Sequence, residues 1–178
     1  KEDILAASRD LIKENGWAAV SIRAVASRCS VSAGTIYNYY ESKADLLSDT
    51  IESIWHEIFF HPEDEQIFHD VESCISWIYE RLEYGNRQFP GFFSLHSFGF
   101  MRDEKTSGKK RMMKTWGHIL NGLCEVLGND PKVRADVFDQ EFTEKKFADI
   151  LFSLILVSMI RQDYDPSSVL MLVKKTLY

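Results

Sequence analysis

Helix breakers are scarce in this chain. Four prolines and nine glycines in 178 residues leave long uninterrupted stretches, and no segment alternates apolar and polar residues at the period of a strand. Sandwiches and barrels, which need many short strands and frequent turns, are excluded on that ground. The three cysteines (Cys29, Cys74 and Cys124) are odd in number, far apart and without a CxxC pair. A disulfide framework is therefore not expected; reduced thiols in a cytoplasm are. The longest apolar run, ILFSLILVSMI at 150–160, is eleven residues broken by serines, against about 20 for a membrane span. Lys1-Glu2-Asp3 leads straight into an amphipathic helix, with no sign of a secretory leader. Catalytic signatures are missing too: there is no GxSxG and no HExxH, and Gly108-Lys109 lacks the preceding glycine of a phosphate loop. No cofactor is expected, and no metal. The one candidate ligand set, His61, Glu65 and His69 at four-residue intervals, is interrupted by Pro62.

What remains is a helical, globular composition: 45% hydrophobic residues with a mean hydropathy of −0.22. The net charge of −6 is carried by residues 48–178, whereas residues 1–47 balance six Lys/Arg against six Asp/Glu. Acidity counts against nucleic-acid binding for the chain as a whole. Between residues 16 and 43, however, Arg23, Arg28 and Lys43 face only Glu41, and an acidic body would help orient the approach of that one face.

The most informative stretch is SVSAGTIYNYYESKADLL, Ser30 to Leu47. Ser32 is placed as the N-cap of a short helix ending near Glu41, with Val31 and Ile36 spaced as a hydrophobic staple. Ile36 and Tyr40 share an inward face, leaving Gly34, Thr35, Tyr37 and Asn38 outward. An outward glycine costs a short helix about 1 kcal/mol against alanine. It is explicable if another backbone must come close. Ser42-Lys43-Ala44-Asp45 has capping-box spacing, with Asp45 expected to reach back to the Ser42 amide, and sets Lys43 at a helix N-terminus suited to an anion. Upstream, a helix over about 4–14 stops at Asn15-Gly16. A second, capped by Ser21, buries Ile22, Val25, Ala26 and Cys29 and leaves Arg23, Ser27 and Arg28 outside. Two short capped helices joined by a tight turn make a helix-turn-helix.

Residues 4–47 resemble the DNA-binding domain of the tetracycline-repressor (TetR) family of bacterial regulators. The resemblance is carried by ILAASRDLIKENGWAAVSIRAVA followed by VSAGTIYNYYESKADLL, in the family's order and spacing. Cys29-Ser30 stands where that family usually has Ala-Gly, so Ser30 is expected to take a left-handed backbone conformation. Tyr39 and Tyr40 replace a frequent histidine and phenylalanine. The resemblance implies an all-α fold of about nine helices: an N-terminal three-helix DNA-binding domain (1–47) and a C-terminal effector-binding and dimerisation domain (48–178). Phosphate contacts are expected from Ser21, Arg23, Thr35, Tyr37, Tyr39 and Lys43, and base-edge contacts from Ala33, Gly34, Thr35 and Asn38.

The rest of the chain reads as amphipathic helices over 43–60, 65–84 and 112–127 and more uniformly apolar ones over 143–161 and from Pro166 on, with His61-Pro62-Glu63-Asp64-Glu65 as a linker. Asp130-Pro131 fits the start of another short helix. FPGFFSLHSFGFM at 89–101 is apolar nearly all round and must be central; it fits a lined cavity and a plain buried helix equally. Walls of a cavity for a largely apolar effector are expected from Phe93, His96 and Phe100, with Met113, Trp116 and Leu120 opposite and Trp77 beside them. The helix at 143–161 is apolar on every side and the final one nearly so. Leu151, Leu154, Ile155, Ser158, Leu170 and Val173 are therefore expected at a homodimer interface, matching the family's four-helix dimer. The reading is a cytoplasmic, nucleoid-associated bacterial regulator of transcription, probed by double-stranded operator DNA and a small-molecule effector, with no membrane role and no enzymatic activity. A regulator controlled by a protein partner and a helical enzyme using the aromatic cavity are the competing readings.

Overall fold

The structure, a computed structural model, describes residues 1–59, 68–93 and 107–178. Side chains of 107–115 lie outside that description, as do the expected linker, two of the metal candidates (His61 and Glu65) and most of the aromatic 89–101 segment. Among the described residues the fold is all-helical. Eight α-helices follow in order: α1 (Glu2–Asn15), α2 (Ile22–Arg28), α3 (Ala33–Tyr37), α4 (Lys43–Phe59), α5 (Val71–Gln88), α6 (Ser107–Asn129), α7 (Glu144–Arg161) and α8 (Ser167–Leu177), with a 3-10 turn at Trp17–Ala19.

Local chemistry accounts for most boundaries. Glu2 and Asp3 sit in the first turn of α1 and Lys13 in its last, matching the helix dipole, and Gly16 ends the helix at φ 75°. Trp17 follows and folds back to stack on Phe92 at 5.7 Å. Ser21 Oγ accepts from Ala24 N–H at 3.1 Å, and Val20 and Val25 are both fully buried around that cap. Asp70 caps α5 by accepting from Ser73 N–H at 2.7 Å. Thr143 caps α7, accepting from Lys146 N–H at 3.3 Å.

α4 is the central element. Its stripe of Leu46, Ile51, Ile54, Trp55, Ile58 and Phe59 is buried, and buried Thr50 satisfies its hydroxyl by donating to Leu46 O at 2.7 Å. The Glu57 carboxylate accepts from Lys13 Nζ at 2.6 Å and pairs with Arg9 Nε at 3.0 Å, tying α4 to α1. From the other side Arg81 of α5 donates to the carbonyls of Glu57 (3.1 Å) and Ile58. Those carbonyls belong to the last described turn of α4, where a cation also suits the helix dipole. The guanidinium is itself held 4.5 Å from the Tyr84 ring. The crossing of α4 and α5 is close at Gly85, where a Cβ would stand 2.6 Å from Ile58 Cδ1 and 3.0 Å from Phe93 Cζ. No larger residue fits without displacing the core.

Three expectations fail here. The helix expected from about 65 to 84 begins only at Val71, because Asp70 takes the cap position, and runs on to Gln88. Asp130-Pro131 starts no helix. Instead the buried Asp130 carboxylate accepts from Val71 N–H (2.9 Å), Lys132 N–H (2.9 Å) and the Tyr178 hydroxyl. It thereby joins the start of α5, the loop after α6 and the residue after α8. Val31 is 39% exposed, so it does not act as a staple with the buried Ile36.

The carboxyl of Asp70 is held well below the usual carboxylate range, first by Lys132 Nζ at 2.7 Å and then by the hydroxyl and N–H of Ser73. A depressed folded value means the contribution is complete above the unfolded pKa of about 3.9 and fades below it. Asp70→Ala should therefore lower stability by about 1–2 kcal/mol at neutral pH, as for a lost N-cap. In urea titrations the gap between parent and variant should stay constant above pH 5 and narrow only below about pH 4.

Candidate nucleic-acid interface and effector cavity

The turn between α2 and α3 is a helix stop closed by two backbone bonds, Val31 N–H to Ala26 O (2.9 Å) and Ser30 N–H to Ser27 O (3.1 Å). This pairing requires a left-handed residue, and Ser30 supplies it at φ 56°, as expected from the missing glycine. Ser32 then caps α3, its Oγ accepting from Thr35 N–H at 3.2 Å and lying 3.1 Å from Thr35 Oγ1. α3 is shorter than expected, ending at Tyr37 with Asn38 as its C-cap. Its orientation is as read: Ile36 and Tyr40 are buried, while Gly34, Tyr37 and Asn38 are exposed and Thr35 is half-buried. Tyr37 and Tyr39 expose 55% and 53% of their surface, large for aromatic rings that no core requires outside.

Gly34 is the telling residue. A Cβ there would meet only Ser32 Oγ, at 3.5 Å, an ordinary contact. The fold therefore gives no reason for glycine at this position.

Ser42 and Asp45 form a reciprocal cap at the head of α4, although not the one expected. Ser42 Oγ accepts from Asp45 N–H at 3.2 Å and donates to Asp45 Oδ2 at 2.7 Å, so Asp45 takes the hydroxyl instead of the Ser42 amide. Lys43 is exposed beside it. The cationic face is smaller than the sequence suggested. Arg28 forms a two-pronged pair with Glu14, at 2.6 and 2.5 Å, and fastens α2 to α1. That hydrogen bond holds the Glu14 carboxyl low and the guanidinium high. Arg23 and Lys43 remain, exposed and in no ion pair among the described residues.

Residues 4–50 match the model of bacterial regulatory proteins of the tetR family. The N-terminal domain belongs to the TetR family. Over 48 residues this TetR-type domain is 38% identical to the HTH-type transcriptional regulator UidR of Escherichia coli strain K12, a match covering 27% of this chain and 24% of that protein. The chain thus matches its curated relative over about a quarter of that protein's length. In fold the whole chain is similar to a TetR transcription regulator from Haloarcula marismortui, with a TM-score of 0.72 at 17% identity over 99% of this chain and 97% of that one. It is also similar to the regulator FadR from Bacillus subtilis in complex with stearoyl-CoA, with a TM-score of 0.61 at 15% identity over 98% and 93% of the two chains. At these identities the likeness is one of fold.

Behind the TetR-type domain, at the far end of α4, Phe59 faces a cavity of about 780 Å³ between α5 and α6. Trp77 forms an aromatic wall with Phe59 and Phe68, their ring centroids 5.9 and 5.2 Å from its own. His69, Cys74, His118, Gly122, Glu125 and Asn129 line it too. Burial pushes the Cys74 thiol up to about 12, so it stays protonated. Of the expected effector contacts, Trp77 lines this cavity. Phe93 does not, being buried against Trp55 and Phe92 at 5.6 and 5.2 Å. Trp116 packs edge-on to Phe152 of α7 at 5.7 Å, and Leu120 is half-buried against the core away from the cavity. His96 and Phe100, and the side chain of Met113, lie outside the described residues.

On α6 the expected Trp116 and Leu120 lie apart from this cavity. Trp116 meets Phe152 of α7, while His118, Ile119, Gly122, Leu123, Glu125, Val126 and Asn129 of α6 line the cavity. Four-residue spacing was the available signal, but polar residues on it resembled a solvated surface. Among the described residues no group of three or more His, Cys, Asp or Glu could hold a metal, and no helix is long and apolar enough to cross a membrane.

Because nothing in the fold needs Gly34, Gly34→Ala should leave folding intact and raise stability by about 0.5 kcal/mol through better helix propensity. Denaturant titration checks this; a loss of 1 kcal/mol or more would mean that the glycine serves the fold.

Proposed function

We propose that the chain is a sequence-specific, DNA-binding transcriptional regulator that acts as a homodimer. In this reading it is a repressor whose 1–47 domain holds operator DNA and whose 48–178 body binds a small, largely apolar effector. The observation that carries it is the outward face of α3: exposed tyrosines and an exposed asparagine around a glycine the chain does not itself require. Ser21, Arg23, Thr35, Tyr37, Tyr39 and Lys43 hold phosphates, and Ala33, Gly34, Thr35 and Asn38 lie against base edges, with Gly34 admitting the DNA backbone or a base edge closely. Support for effector control comes from α4, a continuous helix with Lys43 at its start and Phe59 at the cavity. An effector that displaces Phe59 tilts α4 and moves the two recognition helices away from the ~34–36 Å spacing of successive major grooves. A coupling of about 1–3 kcal/mol suffices to change occupancy.

For the dimer, the last two helices each leave apolar side chains exposed. Leu151, Ile155 and Val173, expected at the interface, are buried in the chain's own core, and Ser158 Oγ is bonded to the Tyr79 hydroxyl at 2.9 Å. The exposed residues are Ile150, Val157 and Ile160 of α7 and Met171 and Leu172 of α8, flanked by half-buried Leu154 and Leu170. These side chains are the proposed interface between copies.

Gel shifts on operator and random duplexes test the DNA face. Lys43→Ala should weaken both and lower the log–log salt slope by about 1. Asn38→Ala should change sequence preference, and Gly34→Ala should weaken operator binding despite its more stable fold. Unchanged binding in all three variants would overturn the reading. For assembly, the double substitution Val157→Glu with Met171→Glu should convert dimers to monomers in sedimentation velocity, because each carboxylate would be buried unpaired. A parent chain that sediments as a monomer at micromolar concentration would refute the dimer.

A further inference from the structure

We propose that the cavity between α5 and α6 selects bulky organic cations, the positive charge seated between the Trp77 wall and the last turn of α6. The inference rests on the reading of the body as an effector-binding module and deepens it to a ligand class. Three features of the cavity point the same way. The first is the wall: Trp77 with Phe59 and Phe68 presents aromatic faces, whose negative quadrupole attracts a cation more strongly once water is excluded. The second is the charge of the lining. Among the described residues that line it, Glu125 is the one carboxylate and there is no lysine or arginine. Two described cations of the flanking segments are already engaged, Lys132 by Asp70 at 2.7 Å and Arg81 by the carbonyls of Glu57 and Ile58.

The third is backbone polarity. Glu125 and Asn129 lie in the last turn of α6, where the negative end of the helix faces the cavity. The positive end that also approaches, the start of α5, is covered by the carboxylates of Asp70 and Asp130, which accept from the Ser73 and Val71 amides. The Cys74 thiol adds no charge, and the rings of His69 and His118 offer polar contacts at the edge. Among the described residues that line the cavity, an anion of the same size would meet Glu125, a helix C-terminus and no lysine or arginine.

A pair of probes of nearly equal shape and opposite charge tests this: tetraphenylphosphonium and tetraphenylborate. Binding is read by Trp fluorescence and thermal shift on the full chain, and DNA release by gel shift. The phosphonium should bind at least tenfold more tightly than the borate. Glu125→Gln, an exposed position that leaves the core alone, should cut that preference severalfold. Gly122→Phe should abolish phosphonium binding, since a Cβ at Gly122 points into space with no atom within 4 Å. Equal or tighter binding of the borate, binding of neither probe, or phosphonium binding unaffected by Gly122→Phe would each overturn the proposal. Phosphonium that binds as described without releasing DNA would uphold the ligand class and sink the regulatory reading.

Discussion

The bonds around Glu57 and Ile58 are the constraint on which the rest of the molecule depends. α4 has to belong to two packing units at once, and its last turn is where both hold it. The Glu57 side chain is gripped by Arg9 and Lys13 of α1, while the backbone carbonyls of the same turn are taken by Arg81 of α5. Remove the α1 grip and the Glu57 carboxylate loses its donors; remove Arg81 and the backbone carbonyls of that turn lose theirs. Gly85 keeps that crossing close, and the aromatic cluster of Trp55, Phe92 and Phe93 fills the angle beneath it. The α1–α4 and α4–α5 contacts are thus made by different atoms of one turn. A rotation of α4 therefore has to be felt on both sides.

The legible part of this fold was local. Caps at Ser21, Ser32 and Ser42 and the stop at Gly16 depend on residues within four positions of one another, and pattern alone finds such signals. The left-handed Ser30 was legible for the same reason. Asp130 shows where that reasoning ends. An aspartate before a proline looks like a helix start, yet its carboxylate is claimed by Val71 and Tyr178, 59 and 48 residues away. No local pattern encodes those partners.

The site residues divide along the same line. The outward face of α3 follows from the helical wheel of one short helix, and its orientation was read correctly. The cavity needs the relative rotation of α5 and α6, which hydrophobic periodicity leaves ambiguous when a helix is apolar on more than one face. Trp116 is large, aromatic and well spaced, but Phe152 claims it. α7 poses the same difficulty: its all-round apolarity was plain, but only the packing decides that Leu151 and Ile155 turn inward while Ile150 and Val157 stay outside.

The pairing of Arg28 with Glu14 bears on how such a protein is distributed in a cell. With that guanidinium spent on holding α2 against α1, and with an acidic body behind, the face proposed to meet DNA keeps few described cations for a phosphate backbone. Affinity for arbitrary DNA scales with the number of such neutralised phosphates. On the proposed reading, such a chain binds non-target DNA weakly. Occupancy of a target then tracks copy number closely, with little buffering by the genome.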